Sequence, residues 1–257
     1  MLSHVPPRSP KDVFITVYGR KPVMEALADP ALTVDKVIVA DNARGSSMNE
    51  IRAEARRWDV PVQIASAHRV KVLAGNGRHD QGVLADVVAP RMAPLVEWLE
   101  ALAPDAPCAV LVLDAVTNPA NVGMVLRTAT AAGLDGILMP RRGVPAIDPL
   151  VIKASAGVAF RAPVLRSSTA AEGCAALRAA GITTLGLAGD AGLSLLADPL
   201  PARVALVLGN ETDGLSEDVR AELDGTVSIP MHNGVESLNV ASAAAVACYE
   251  LLRRQGR

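Results

Sequence analysis

Three polar loops in this 257-residue chain carry residue types and spacings that could do chemistry. The first, "NPANVGMVLRTA", follows the apolar run "VLVLD". Pro119 suits the first position of a helix, Asn118 can cap it, and Gly123 lies one turn before Arg127. A glycine there leaves the helix face bare, so that another backbone or a substrate can approach with a guanidinium at its edge; the alternative is a packing glycine and a surface arginine. The second loop, "NETDGLSED", follows "VALVLG". Gly209 and Gly214 enclose Glu211, and Ser216 begins a helix whose first-turn Glu217 and Asp218 suit its dipole. Glu211 is either a loop charge or a carboxylate that orients loop amides or meets a ligand cation. The third, "IPMHNGVESLNVASA", places His232, Asn233, Glu236, Ser237 and Asn239 where a strand-to-helix turn needs one cap. Ser237 or Asn239 can cap the helix and Gly234 can turn with positive φ, which leaves one of the polar pair without a local role.

The elements that must hold these loops follow from apolar periodicity. "CAVLVLDAV", "GILMP", "ITTLGLA", "RVALVLGN" and "TVSIP" read as strands. Helices are expected from Pro119, near "PLVIKASAG", over "TAAEGCAALRAAG" and "SEDVRAEL", and at the close. Near-continuous apolar strands alternating with helices predict a parallel sheet covered on both faces, and in such sheets ligands bind outside the carboxyl ends of the strands. The closing helix is apolar almost all round, as expected if it packs on its own sheet and on a partner subunit. Upstream, "GRKPVMEALAD" and "SSMNEIRAEARRWD" are helical and "VDKVIVA" and "VPVQIAS" extended, a separate small α/β unit over residues 13–88. Its loop "GNGRHDQG" could approach a phosphate or merely connect. Residues 1–12 read as a disordered tail, 89–107 as a proline-rich linker with one short helix, and 108–257 as the second domain.

Composition narrows the functions. Aromatics are 2% of residues against 50% hydrophobic, so the core is aliphatic and base stacking on aromatic platforms is disfavoured. The net charge of −2 argues against binding nucleic acid by bulk charge. Residues 1–90 carry 12 Lys+Arg against 10 Asp+Glu, which permits a basic face around Arg52, Arg56 and Arg57 or an ordinary solvated helix surface. Cys108, Cys174 and Cys248 are far apart, without metal-ligand spacing, and read as buried thiols of a cytoplasmic protein; no metal site and no membrane span is expected. The dinucleotide, P-loop and hydrolase-elbow fingerprints are absent, "GLAGDAG" having the wrong spacing for the first.

Together, "NPANVGMVLRTA", "LVLGNETDGLS" and "IPMHNGVESLNVASA" resemble the three ordered motifs of the SpoU/TrmH family of RNA ribose methyltransferases, within the SPOUT class. "VYGRKPVMEAL" through "DQGVLADV" resembles the substrate-binding domain attached to many members. The resemblance implies a trefoil-knotted parallel-sheet methyltransferase domain preceded by a smaller α/β RNA-binding domain. It implies a homodimer formed through the knot and transfer of a methyl group from S-adenosylmethionine to a ribose 2′-hydroxyl, with large-subunit ribosomal RNA the leading substrate and transfer RNA or a non-catalytic RNA-binding role the alternatives. Carried over by motif, Leu208, Gly209, Ile229, Met231 and Leu238 would hold the cofactor. Asn121, Arg127, Glu211, Ser237 and Asn239 would form the catalytic neighbourhood, and Arg20, Arg78, His79 and Gln81 would meet RNA. Two positions depart from the family pattern: Ala241 stands where serine is common after "SLNV", and Asp80, with His79 before it, where histidine often precedes "QG".

Overall fold

The computed structural model describes residues 12–75 and 80–255, so Arg78, His79 and the expected tail up to residue 11 lie outside the described residues. The described residues form two compact units: those up to Pro90 together with Ile147–Pro149, and Arg91–Ala146 together with those from Leu150 on. The first contains β1 (Phe14–Tyr18), α1 (Arg20–Ala28), β2 (Val34–Ala40), α2 (Ser46–Arg57), β3 (Val62–Ala65), α3 (Ala67–Ala74) and β4 (Val83–Val88). Its sheet order is β1-β4-β2-β3, with β4 antiparallel to both neighbours and β3 parallel to β2. Val23, Ala26 and Leu27 of α1 and Met48, Ile51 and Ala55 of α2 recur at helical spacing and are the buried positions. α3 was not anticipated because it buries only Val70 and so lacks an apolar stripe; Ser66 caps it by accepting the Arg69 N–H at 3.2 Å, and Gly75 ends it at φ 66°. The α2 surface is a solvated face: Arg57 pairs with Glu54 at 3.3 Å and lies over the Trp58 ring.

The second unit contains β5 (Ala93–Pro94), α4 (Leu95–Ala101), β6 (Cys108–Leu113), α5 (Pro119–Ala131), β7 (Gly136–Leu138), α6 (Pro149–Ala154), β8 (Val164–Arg166), α7 (Ala170–Ala179), β9 (Thr183–Leu187), β10 (Leu193–Ser194), β11 (Arg203–Leu208), α8 (Glu217–Arg220), β12 (Gly225–Ser228) and α9 (Val240–Gln255). The eight strands lie in the order β10-β12-β9-β11-β6-β7-β8-β5, and every pairing among them is parallel. β6 is buried at every position and β11 at all but its first, which is why both read as unbroken apolar runs. Within the expected linker, β5 pairs with β8 and Leu95 of α4 enters the core with Val110, Leu165 and Leu177.

Cys108, Cys174 and Cys248 are free, buried thiols. Burial pushes the Cys174 thiol up to about 12, helped by the nearby Asp114 and Glu222 charges, and burial alone takes Cys248 to about 12.

Candidate active site

The three loops emerge at the carboxyl ends of β6, β11 and β12. After β6, Asn118 accepts the Ala120 N–H at 2.9 Å and Pro119 occupies the first turn, so α5 starts as the sequence predicts. The backbone that approaches Gly123 belongs to α6 and the turn after it: a Cβ at Gly123 would stand 2.6 Å from the Val151 carbonyl oxygen and 2.9 Å from the Ser155 nitrogen. Only a side-chain-free position allows that crossing.

After β11 the chain makes a tight hairpin. Asn210 and Gly214 exchange backbone hydrogen bonds at 2.9 and 3.0 Å, and the Asn210 side chain accepts the Thr212 N–H at 2.7 Å. Gly209 is forced by this turn, since a Cβ there would lie 2.3 Å from the Gly214 carbonyl carbon. Ser216, expected as the cap of α8, uses its backbone N–H instead: Asp114 accepts it at 2.7 Å. Asp114 is only 5% exposed at the end of β6, and this buried carboxylate fixes the loop of the neighbouring strand. Sequence reasoning passed over it, although an aspartate ending the run "VLVLD" was the available signal.

After β12, Asn233 and Gly234 take φ 56° and 73°, and the Val235 N–H returns to the His232 carbonyl at 3.2 Å. Asn233 and Gly234 are the residues that tolerate consecutive positive φ, which accounts for two of the loop's features. Asn239 caps α9 by accepting the Ala241 N–H through its side-chain oxygen at 3.0 Å. Its amide nitrogen points the other way, donating to Asn121 Oδ1 at 3.3 Å and to Glu211 Oε1 at 3.5 Å. Asn121, 4% exposed, donates its own amide to the same Glu211 oxygen. One side chain from each loop thus meets in a single network, and the bonds fix which way both amides face. This is the loop-orienting role for Glu211 among the two readings.

Arg127 is not in that network. It is exposed, and its side chain makes no hydrogen bond or ion pair among the described residues. Asn121 and Arg127 lie six residues apart, about 240° around a 3.6-residue helix, so the face that carries Asn121 inward turns Arg127 outward.

A cavity of about 420 Å3 lies beside the network. Its lining includes every residue expected to hold a cofactor, namely Leu208, Gly209, Ile229, Met231 and Leu238, together with Glu211 and Ser237. Leu187, Ala188, Gly189 and Asp190, at the end of β9, complete it. Those four fall within "GLAGDAG", which lacks the dinucleotide spacing but stands at a strand end, where parallel sheets bind ligands. The size is that of a small-molecule site. Leu187, Leu208, Ile229, Met231 and Leu238 give the cavity aliphatic walls that suit a purine ring, and Gly189 and Gly209 put no side chain between their backbone and the cavity. Among the described residues, no cluster of His, Cys, Asp or Glu is placed to hold a metal ion.

In the first unit, Arg20 and Gln81 are brought together. Gln81 accepts the Arg20 backbone N–H at 3.0 Å, and the Arg20 guanidinium donates to Ser47 Oγ at 2.9 Å and to the Arg44 carbonyl at 3.1 Å. Arg20 therefore ties the entrance of α1 to that of α2, and Gln81 holds φ 49° in the loop before β4. Asp80, 5% exposed, accepts the Gly82 N–H at 2.8 Å, a turn role for the residue that departs from the family pattern.

Fold and site define an α/β cofactor-binding protein whose cavity opens at the carboxyl ends of a parallel sheet. Residues 109–249 match the SpoU rRNA methylase family and residues 16–93 match the domain described as RNA 2′-O ribose methyltransferase substrate binding. The 23S rRNA (guanosine-2′-O-)-methyltransferase RlmB of Xanthomonas campestris is 35% identical over 241 residues, covering 93% of this chain and 96% of the relative. Among solved structures, an RNA methyltransferase assigned to the TrmH family from Porphyromonas gingivalis is 29% identical with TM-score 0.62, covering 95% of this chain and 91% of that one. The SpoU methyltransferase AviRb from Streptomyces viridochromogenes, solved in complex with AdoMet, shares the fold at 24% identity and TM-score 0.61, covering 94% and 90%. The chain belongs to the SpoU rRNA methylase family, and its first unit is that family's substrate-binding domain.

Proposed function

We propose that the protein methylates a ribose 2′-hydroxyl of large-subunit ribosomal RNA, using S-adenosylmethionine. The observation that carries this reading is the junction of Asn121, Glu211 and Asn239, one from each motif loop, at the rim of a cavity whose walls fit an adenosyl group. The curated relative's activity on 23S rRNA supports the choice of RNA. When bound, the cofactor supplies an electrophilic methyl group.

The chain's own residues supply position and charge. Leu208, Ile229, Met231 and Leu238 would hold the adenosyl group with the backbone of Gly209, and the Asn121–Glu211–Asn239 network holds the three loops in register. Ser237, exposed at the cavity rim, hydrogen-bonds the incoming ribose. Arg127 stays protonated, as a guanidinium does in a protein, grips the adjacent phosphate and stabilises the developing alkoxide while the proton leaves through phosphate or water. In the first unit, Arg20, Gln81 and the neighbouring Arg78 and His79 engage the RNA.

We also propose the trefoil knot, a homodimer and a cytoplasmic location. The knot is supported by the path after β12, where the chain returns from beyond β9 to set α9 against α5 and β11; knotted paths are rare exceptions among folds. The dimer is supported by Met124 of α5 and Tyr249 of α9, 41% and 53% exposed on two helices that pack together. The location is supported by the three free thiols.

The test uses purified protein and labelled S-adenosylmethionine with unmodified ribosomal and transfer RNA pools, comparing Arg127→Ala and Arg127→Lys. Label confined to ribosomal RNA, abolished in Arg127→Ala and strongly reduced in Arg127→Lys, is expected. A folded Arg127→Lys enzyme with full activity contradicts a need for the planar fork, and label in transfer RNA instead moves the substrate.

A further inference from the structure

The charge of the second unit is segregated along the chain. Residues 119–168 hold six basic residues and only two acidic ones, Asp135 and Asp148, in a chain whose net charge is −2. The Asp135 carboxylate is engaged with backbone, accepting the Ala109 N–H at 2.8 Å near the start of β6. Four of the six cations, Arg127, Arg142, Lys153 and Arg161, are exposed and have no side-chain hydrogen bond or ion pair among the described residues. From α7 onward the pattern reverses. Arg178 pairs with Glu222, Arg203 and Arg220 donate to backbone carbonyls, and Arg253 and Arg254 both hold Glu250. Cations left without an internal partner among the described residues, on a stretch with only two acidic residues, point to an external anion.

The segments that carry the four are α5 itself and stretches that pack on it or on the segment leading into it. Arg127 is on α5, Lys153 is on α6, whose backbone crosses α5 at Gly123, and Arg161 ends the 3-10 turn Val158–Arg161 that packs against α5. Arg142 lies in the loop after β7, where a Cβ at Gly143 would come 3.7 Å from the Ala115 Cα in the segment that leads into α5. That loop is held rung by rung: Arg141 N–H to the Ser167 carbonyl at 2.9 Å, Arg142 N–H to the Ser168 carbonyl at 3.2 Å, and Arg166 Nη1 to the Met139 carbonyl at 3.1 Å. A fixed backbone that presents a free guanidinium lowers the ordering cost of a phosphate contact.

We propose that Arg142, Lys153 and Arg161 form a phosphate track around α5 that seats the RNA strand flanking the target ribose and delivers it to Arg127. The proposal rests on the methyl-transfer reading for its orientation, but the track's own property is salt-dependent RNA binding. It assigns strand placement to the methyltransferase unit itself, in addition to the substrate-binding unit.

The test measures binding of the full chain to unmodified large-subunit ribosomal RNA over a salt series, for wild type, Arg142→Ala, a triple Arg142→Ala/Lys153→Ala/Arg161→Ala variant and Arg142→Lys. Each lost phosphate contact lowers the slope of log affinity against log salt by about 0.7–0.9. The triple variant is expected to fall by about two or more in slope, to raise KM for RNA with kcat retained, and to bind S-adenosylhomocysteine as wild type does; Arg142→Lys restores most of the Arg142 contribution. Unchanged slope and affinity in the folded triple variant overturn the track. So does a change confined to self-association in sedimentation, which would make the face a contact with a second copy. If wild type transfers no methyl group yet the slope falls as described, the track stands and the methyl-transfer reading fails; if wild type binds no RNA, both fail.

Discussion

Replacing Gly209 by alanine tests whether the cavity depends on the tight return of the second motif loop. The added Cβ would meet the Gly214 carbonyl carbon at 2.3 Å, its oxygen at 2.4 Å and the Leu215 nitrogen at 2.6 Å. Ordinary carbon contacts begin near 3.5 Å, so main chain must move by about 1 Å. No side chain can rotate out of the way. The hairpin is pinned on one side by the Asn210–Gly214 bonds at 2.9 and 3.0 Å and on the other by Ser216 N–H to Asp114 at 2.7 Å. Overpacking of this kind costs about 1–3 kcal/mol. Loop displacement would express the cost as weaker cofactor binding, roughly 5- to 150-fold at about 1.4 kcal/mol per tenfold; a loop that holds would express it as lost stability. Calorimetric titration with S-adenosylhomocysteine alongside urea denaturation separates the two. Wild-type affinity together with wild-type stability would mean that the loop accommodates the methyl group and that the close approach at Gly209 does not shape the cavity.

Asn239→Ala removes the α9 cap, worth about 1 kcal/mol, and both amide contacts to the other loops; urea denaturation should register the first loss and methyl-transfer assays a much larger drop in kcat than in cofactor affinity. The three cysteines should resist iodoacetamide at pH 8 in the native chain, since all are buried and the thiols of Cys174 and Cys248 stand at about 12; mass spectrometry should find all three labelled in urea. Hydrogen bonds from Arg253 and then Arg254, against an opposing burial effect, hold the Glu250 carboxyl below the usual range. A depressed folded value stabilises the protein above the unfolded value of about 4.3 and loses that contribution as pH falls through the folded one. Glu250→Gln should therefore be less stable at pH 7 and show a flatter acid limb in denaturation measured from pH 7 to 3.

The parts of the fold legible in sequence were those where one physical pattern dominates. β6 and β11 are buried on both faces and read as apolar runs; α5 announces itself through Asn118 and Pro119, and the turn before Val235 through Gly234. β5, β8 and β10, at two or three residues each, are too short to show a period, and α3 hides because it buries one side chain. Strand order is a property of distant pairings that no local pattern encodes. That Asn121, Glu211 and Asn239 stand on loops at strand ends was legible from the sequence; that they meet in one network was not. Asp114 and the Leu187–Asp190 wall also stand at strand ends, but which loop the one fixes and which cavity the other closes follow from β6 and β9 flanking β11, a long-range pairing.

The acceptor atom is identified directly by nucleoside analysis. Unmodified 23S ribosomal RNA would be incubated with the protein and methyl-labelled S-adenosylmethionine, digested to nucleosides and resolved by mass. Label is expected in a 2′-O-methylnucleoside, with the added mass on the ribose and none of it after Arg127→Ala. Label on a base, or no label from a protein that binds both cofactor and RNA, would contradict it.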